Sequence, residues 1–364
     1  MVATVVPAAV RRPDLGALTG VRFLAAFWVL LAHAGAAFSE RSGLPAPLST
    51  FLYHGTMGVF VFFTLSGFIL FYNYQGRVNT RADFYPFLAA RIARLYPVYL
   101  LALVAWGFVL LRLPEPHELL VIPMLQSWVP AGSPGGYSWL PPAWSLSVEF
   151  FFYLCFPLLL LAFRRERRRS TLWCAAAALL IAIVALRTPV AHPDLDTGRF
   201  ERVVLLPVLA LPDFLLGMVL GALFLSRKRT DPQSVSSDWT TLAAIVPCFC
   251  ILTATKNLFA VSFAVAFASA CGIYRLADGK GILTGLLRSR TGVLLGGASY
   301  SVYLLQAPIR EFCRRFLGPV HAGLDAAVSP PLIIAISCLV FLFYEQPMRV
   351  FLRGLLNRRK RAVS

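Results

Sequence analysis

The chain has 364 residues, of which 58% are hydrophobic and only 14% charged, with a mean hydropathy of +0.70. A soluble domain carries about 25% charged residues to wet its surface, so this composition excludes an ordinary soluble globule and makes lipid the solvent. The formal net charge of +17, from 34 Lys+Arg against 17 Asp+Glu, is dispersed between apolar runs and accompanies no recognition motif, so it is read as basic residues held on the cytoplasmic side of a membrane, with no nucleic-acid partner.

Residues 1–16, with Arg11 and Arg12, read as a cytoplasmic N-terminal tail. The apolar run that follows is long and contains Arg22 and His33, which marks a retained first span and no cleavable signal peptide. About 20 apolar residues cross the hydrocarbon core as a helix. Stretches of that kind lie at 17–38, 55–75, 92–112, 143–163, 171–187, 203–225, 239–255, 257–275, 291–312 and 331–351. The expected fold is therefore all-α, a polytopic membrane domain over 17–353 with about ten transmembrane helices, ending in a basic cytoplasmic tail at 354–364. The weakest boundary is Lys256–Asn257, where two spans meet in a tight turn; merging them would move the C-terminus to the other side.

Charge tests this topology. With the N-terminus inside, most of the 34 basic residues, including the RRERRR run at 164–169 and the Arg-rich tail, fall on one face. That asymmetry places both termini in the cytoplasm and makes the chain a multi-pass protein of the cell (inner or plasma) membrane. The longest outer loop, 113–142, carries Pro, Gly and Trp and is expected to hold a short interfacial helix around 117–127. No repeat of 20–50 residues and no inverted pair of halves is visible. The seven cysteines lie in or beside apolar segments without a CxxC pair, so they read as apolar fillers; neither a disulfide frame nor a metal site is expected.

Ionisable residues inside spans are costly and mark functional paths. Arg22 and His33 are eleven residues apart on the first span, ~16 Å of helix rise and about three turns, so they share a face. A neutral imidazole accepts a hydroxyl proton near neutral pH, which makes His33 a candidate general base. The plain alternative has Arg22 reaching lipid phosphates and His33 bonding a carbonyl of the next helix. Arg91 and Arg94, in ARIARLYP, share one face at the cytoplasmic mouth of the third span, where their planar forks suit phosphate oxygens or anchor the helix. Ser145 and Glu149 lie one turn apart near the outer end of the fourth span; the carboxylate needs a partner and is expected to orient His33 or to form an ion pair. Glu345 and Arg349 pair at i,i+4, chiefly as a structural element, and Pro347 between them is expected to break or bend the helix. Ser66 in the second span, with Tyr303 and Gln306 in the ninth, supplies further polar groups for a path or for support.

Together these segments resemble acyltransferase family 3. LTGVRFLAAFWVLLAHAG carries the family's basic residue, ten residues and histidine as Arg22 and His33; GVFVFFTLSGF, ARIARLYPVY, WSLSVEFFFYL, GGASYSVYLLQAPI and YEQPMR follow in the family's order, from about residue 15 to 353. The resemblance implies a ten-helix domain that takes acyl-CoA from the cytoplasm as co-substrate, with no permanently bound cofactor. It implies an essential His33 and donor phosphates gripped by Arg91 and Arg94. On that reading Glu149 orients His33 as a second catalytic residue, and Arg22 lies along the donor's pantetheine arm, joining both the catalytic and the donor-binding sets. The acyl group, commonly acetyl, would go to a hydroxyl of a glycan, glycolipid or related small molecule. Two departures stand out: many members have Asp where this chain has Thr19 and His where it has Gln306. The rival readings are a transporter that uses Arg22, His33 and Glu149 as a proton path, and a non-catalytic scaffold for glycan assembly. The sequence carries no mark of the acceptor's identity or of oligomeric state.

Overall fold

The computed structural model describes residues 15–39, 44–78, 80–129, 139–163, 168–187, 205–227, 238–277, 281–317 and 324–363. Among them all regular structure is helical and no strand occurs, as the need to satisfy every backbone N–H and C=O in lipid demands. Arg11, Arg12, most of the RRERRR run and the loop residues 130–138 lie outside the described residues.

Among the described residues eight helical segments are long and apolar enough to cross a membrane: Gly16–Ala34, Ala46–Tyr74, Ala82–Leu110, Pro141–Leu161, Arg169–Arg187, Leu206–Leu225, Leu258–Leu276 and Ala326–Leu355. The two other expected segments are helical too. Asp238–Ala254 is apolar but short, at 17 residues, and Arg290–Phe316 is long but interrupted by Ser, Tyr, Gln and Arg. The all-α polytopic fold stands.

In chain order the helices are α1 (Gly16–Ser39), α2 (Ala46–Tyr53), α3 (Gly58–Tyr74), α4 (Arg81–Leu110), α5 (Trp144–Ala162), α6 (Arg169–Arg187), α7 (Leu211–Leu225), α8 (Asp238–Ala254), α9 (Leu258–Leu276), α10 (Ile282–Arg288), α11 (Arg290–Phe316), α12 (Leu324–Val340) and α13 (Gln346–Val363). The predicted boundary at Lys256–Asn257 holds. Residues 255–257 separate α8 from α9, and the Asn257 side chain caps α9 by accepting from the Ala260 N–H at 3.2 Å.

Three expectations are corrected. First, α4 begins at Arg81 and not near 92, because Thr80 and Asp83 form a capping box, with Asp83 accepting from the Thr80 N–H at 2.9 Å. Arg91 and Arg94 thus sit about three turns inside the helix and not at its mouth. Second, the loop around 117–127 forms tight 3-10 turns, Pro116–Val121 and Gln126–Trp128, and no interfacial α-helix. Tyr99 and Tyr96 donate to the Val121 and Ile122 carbonyls, each at 2.6 Å, and hold the loop against α4. Arg112 donates from both guanidinium NH groups to Glu118 at 2.8 Å, which keeps that carboxyl below the usual carboxylate range. Third, Pro347 does not break the last helix. A π turn at Phe341–Glu345 precedes it, and the helix runs on through the basic tail to Val363. Proline offers no N–H to the carbonyl four residues back, and a π turn absorbs that mismatch while turning Glu345 fully inward.

Small residues set the packing. α3 and α7 touch through Gly67 and Gly217: a Cβ on Gly67 would lie 2.0 Å from the Phe214 carbonyl oxygen, and one on Gly217 2.0 Å from that of Thr64. Gly296 lets α11 approach α1 in the same way, a Cβ there meeting the Thr19 oxygen at 1.9 Å. The glycines bring α7 onto α3 and α11 onto α1, and α1, α3, α5, α4 and α11 each touch the next around a common interior.

Candidate functional site

That interior contains a cavity of about 640 Å³, counted to its mouth. Arg22 from α1, Arg91 and Arg94 from α4, and Glu149 and Tyr153 from α5 supply its charged and polar lining. Apolar wall comes from Val59, Phe62, Phe63, Leu65, Ile69 and Leu70 of α3, with Ser66 among them. Ser145 of α5 and Tyr303 of α11 also line it. Seven of the residues singled out in the sequence therefore converge here: Arg22, Ser66, Arg91, Arg94, Ser145, Glu149 and Tyr303.

The chamber is predominantly positive. Arg91 donates to the Tyr74 hydroxyl at 2.8 Å, its guanidinium lies 5.2 Å from the centre of that ring, and its buried Nε has no hydrogen-bond partner among the described residues. Arg22 feels both Arg94 and the Glu149 carboxylate. Arg349 adds a fourth guanidinium near Arg94 and is paired with the buried Glu345, as expected; Ser301 donates to the other oxygen of Glu345 at 2.7 Å. Several guanidiniums gathered in a low-dielectric chamber favour a ligand with multiple phosphate or carboxylate oxygens.

A second cavity, of about 510 Å³, lies beyond the first. It is lined by Val29 and His33 of α1, Thr56 and Val59, Pro141, Pro142 and Trp144, and Tyr303, Gln306, Ala307 and Arg310 of α11. Val59 and Tyr303 are common to both cavities. The His33 Nδ1 is 2.9 Å from the Val29 carbonyl, which fixes the neutral ring as the tautomer with Nδ1–H donating and Nε2 left as an acceptor. Arg310 donates to the His33 carbonyl at 2.7 Å and holds the end of α1 against α11. Gln306 stands beside the His33 ring and donates to the Tyr303 carbonyl at 2.8 Å; its amide oxygen is buried without a hydrogen-bond partner among the described residues.

One expected pairing is not formed. Glu149 accepts from Ser66 Oγ at 3.3 Å and from the Tyr153 hydroxyl, both within the first cavity, while His33 takes its orientation from its own helix in the second. The carboxylate that was expected to orient the histidine serves the cationic chamber.

Sequence reasoning passed over other polar residues. Tyr153, four residues after Glu149, was signalled by that helical spacing alone. Arg187 and Asp213 form a buried ion pair at 2.6 Å, with the guanidinium 3.6 Å from the Phe60 ring centre. Asp213 lies inside the apolar run 203–225, so the rule that flagged Glu149 applied to it equally. Arg310, which the sequence reading did not single out, lines the histidine cavity.

Fold and site define a helical membrane protein whose cation-lined chamber meets a histidine-bearing cavity. Residues 15–344 match the family model described as an acyltransferase domain, a span that includes nearly all of the lining residues. The chain belongs to acyltransferase family 3 and is an acyltransferase, as the six ordered motifs implied. It is 29% identical over 341 residues to the acyltransferase MdmB of Streptomyces mycarofaciens, covering 86% of this chain and 82% of that protein. It is 30% identical over 262 residues to the exopolysaccharide production protein ExoZ of Rhizobium meliloti (strain 1021), covering 69% of this chain and 75% of the relative. No solved structure gives a significant match.

Proposed function

We propose that this protein is a membrane O-acyltransferase that moves an acyl group, commonly acetyl, from acyl-CoA to a hydroxyl of a glycan, glycolipid or related acceptor. One observation carries the reading: an arginine-lined chamber and a histidine-lined cavity share a wall at Val59 and Tyr303. A phosphate-bearing donor suits the first, and a hydroxyl awaiting deprotonation suits the second. With both termini in the cytoplasm, the chamber receives the donor from the cytoplasmic side.

The adenosine phosphates of the donor lie against Arg91 and Arg94, and the pantetheine arm runs past Arg22 along the apolar wall of α3. The ~16 Å of rise from Arg22 to His33 matches the reach of that arm. His33 Nε2 takes the proton of the acceptor hydroxyl as its oxygen attacks the thioester carbonyl carbon. The Gln306 amide oxygen, which lacks a partner beside the neutral ring, receives the N–H of the protonated one. Collapse of the tetrahedral intermediate breaks the C–S bond, and the departing thiolate takes the proton from His33. ExoZ is named for exopolysaccharide production, which favours a sugar hydroxyl as acceptor here.

Purified protein incubated with labelled acetyl-CoA and glycan extracts of the cell envelope tests the reading. It predicts binding of the donor and label in the glycan fraction, with transfer lost in His33→Ala while donor binding persists. Protein that neither binds nor turns over acetyl-CoA returns the intramembrane charges to a transport path.

A further inference from the structure

The wall between the two cavities is closed by one cluster of three oxygens. Tyr303 OH of α11 and Ser145 Oγ of α5 are 2.8 Å apart. Each also lies 3.1 Å from the carbonyl oxygen of Pro142, in the 3-10 turn Pro141–Ala143 that leads into α5. Two hydroxyl hydrogens and three oxygens at these distances satisfy one another, so the cluster is a self-contained latch between two helices. Both hydroxyl-bearing residues are buried, and the Tyr303 ring packs against Phe62 of α3 at 6.2 Å between centroids. A ligand in the arginine chamber therefore faces one side of Tyr303, and a ligand beside His33 faces the other.

The consequence rests on the acyl-CoA reading given above. A thioester in the first cavity is separated from the base in the second while this latch is closed, so transfer requires it to part. The same separation matters when no acceptor is present, because His33 would activate water as readily as a sugar hydroxyl. Water would lose its proton to the imidazole, its oxygen would bond to the carbonyl carbon, and the C–S bond would break. The products would be the free acid and the CoA thiol, the thiolate recovering the proton from His33.

We infer that the Tyr303–Ser145–Pro142 contact is a selectivity gate that holds the thioester away from water until an acceptor fills the His33 cavity. The Gln306 side chain, which lines that cavity and donates to the Tyr303 backbone carbonyl at 2.8 Å, ties acceptor occupancy to the gate residue. Tyr303 and Ser145 thus determine whether the acyl group passes to a hydroxyl acceptor or is lost to hydrolysis.

Thiol release from acetyl-CoA, measured without acceptor, tests the gate in wild type, Tyr303→Phe, Ser145→Ala and the double variant. Tyr303→Phe keeps the ring and removes only the latch hydroxyl, and Ser145→Ala is the milder change should the tyrosine variant unfold. Losing a buried hydrogen bond that holds the closed state should raise acceptor-free thiol release at saturating acetyl-CoA about tenfold. Release that stays at the wild-type rate, or falls, overturns the gate. Wild-type protein that fails to bind acetyl-CoA overturns the donor reading on which the gate depends, so the two failures are told apart by the binding measurement.

Discussion

Glu149 and His33 line different cavities, with the Tyr303 side chain between the two spaces. The carboxylate is held by Ser66 and Tyr153 and faces Arg22, whereas the imidazole is set by the Val29 carbonyl of its own helix. Paired in a sequence reading as base and orienter, they belong to opposite halves of the site. On the proposed acyl-CoA reading, this division would separate donor handling from acceptor activation.

Residues without shared partners act independently, whereas members of one catalytic unit do not. His33→Ala should lower acyl turnover by about 10²–10⁴-fold, the range for loss of a general base. Glu149→Gln should act separately, through the arrangement of Arg22 and Tyr153. The double variant should then lose the product of the two single effects, measured as kcat/KM on all four proteins. A double variant no worse than His33→Ala would restore the expected Glu149–His33 unit.

Arg91 and Arg94 should contribute to donor affinity and little to turnover at saturation. Each charge-assisted bond to phosphate is worth about 1.5–3 kcal/mol, so replacing both by Ala should weaken acetyl-CoA binding at least tenfold. Arg91→Lys should fall between, since it keeps the charge but loses the planar fork and the Tyr74 contact. Calorimetric titration at low and high salt checks this. Unchanged affinity in the double variant would remove these residues from the donor site.

The features legible in the sequence are those carried by local period. Arg22 and His33 share a helix, so their spacing alone fixed their order along it, and each of the ten apolar runs overlaps a helix among the described residues, eight of them in helices long and apolar enough to cross a membrane. What escaped depends on contacts between distant segments. Ser145 and Tyr303 meet across 158 positions, and Arg187 meets Asp213 across 26 positions that include residues 188–204, outside the described structure. The start of α4 was misplaced because an apolar window stops at Asp83, Arg91 and Arg94, whereas the helix is set by the cap at Thr80. The orienter of His33 was misassigned because residue types alone do not say which wall of the bundle a carboxylate faces.

The Glu345–Arg349 pair should reveal itself through stability. Glu345 is fully buried and Arg349 is its charged partner, with Ser301 completing the contact. Arg349→Ala leaves a buried carboxylate uncompensated, a loss of about 3–5 kcal/mol. Adding Glu345→Gln removes that charge and keeps an acceptor for Ser301, so the double variant should unfold at a higher temperature than Arg349→Ala alone. Thermal unfolding in detergent measures the difference, and a double variant no more stable than the single would deny the pair its structural role.

The glycine contact between α3 and α7 should not tolerate an added methyl group. A methyl group on Gly67 meets the Phe214 carbonyl oxygen at 2.0 Å and one on Gly217 meets that of Thr64 at 2.0 Å, in both cases against backbone that has no rotamer to yield. Overpacking of this kind costs about 1–3 kcal/mol even where side chains give way, so Gly67→Ala and Gly217→Ala should each lose at least that much stability, read as a lowered unfolding temperature. Because α3 lines both cavities, donor affinity should fall with them. Gly354→Ala is the control: its Cβ meets nothing within 4 Å, and alanine is the better helix former by about 1 kcal/mol. Equal stability of Gly67→Ala and Gly354→Ala would show that α3 and α7 do not rely on backbone contact.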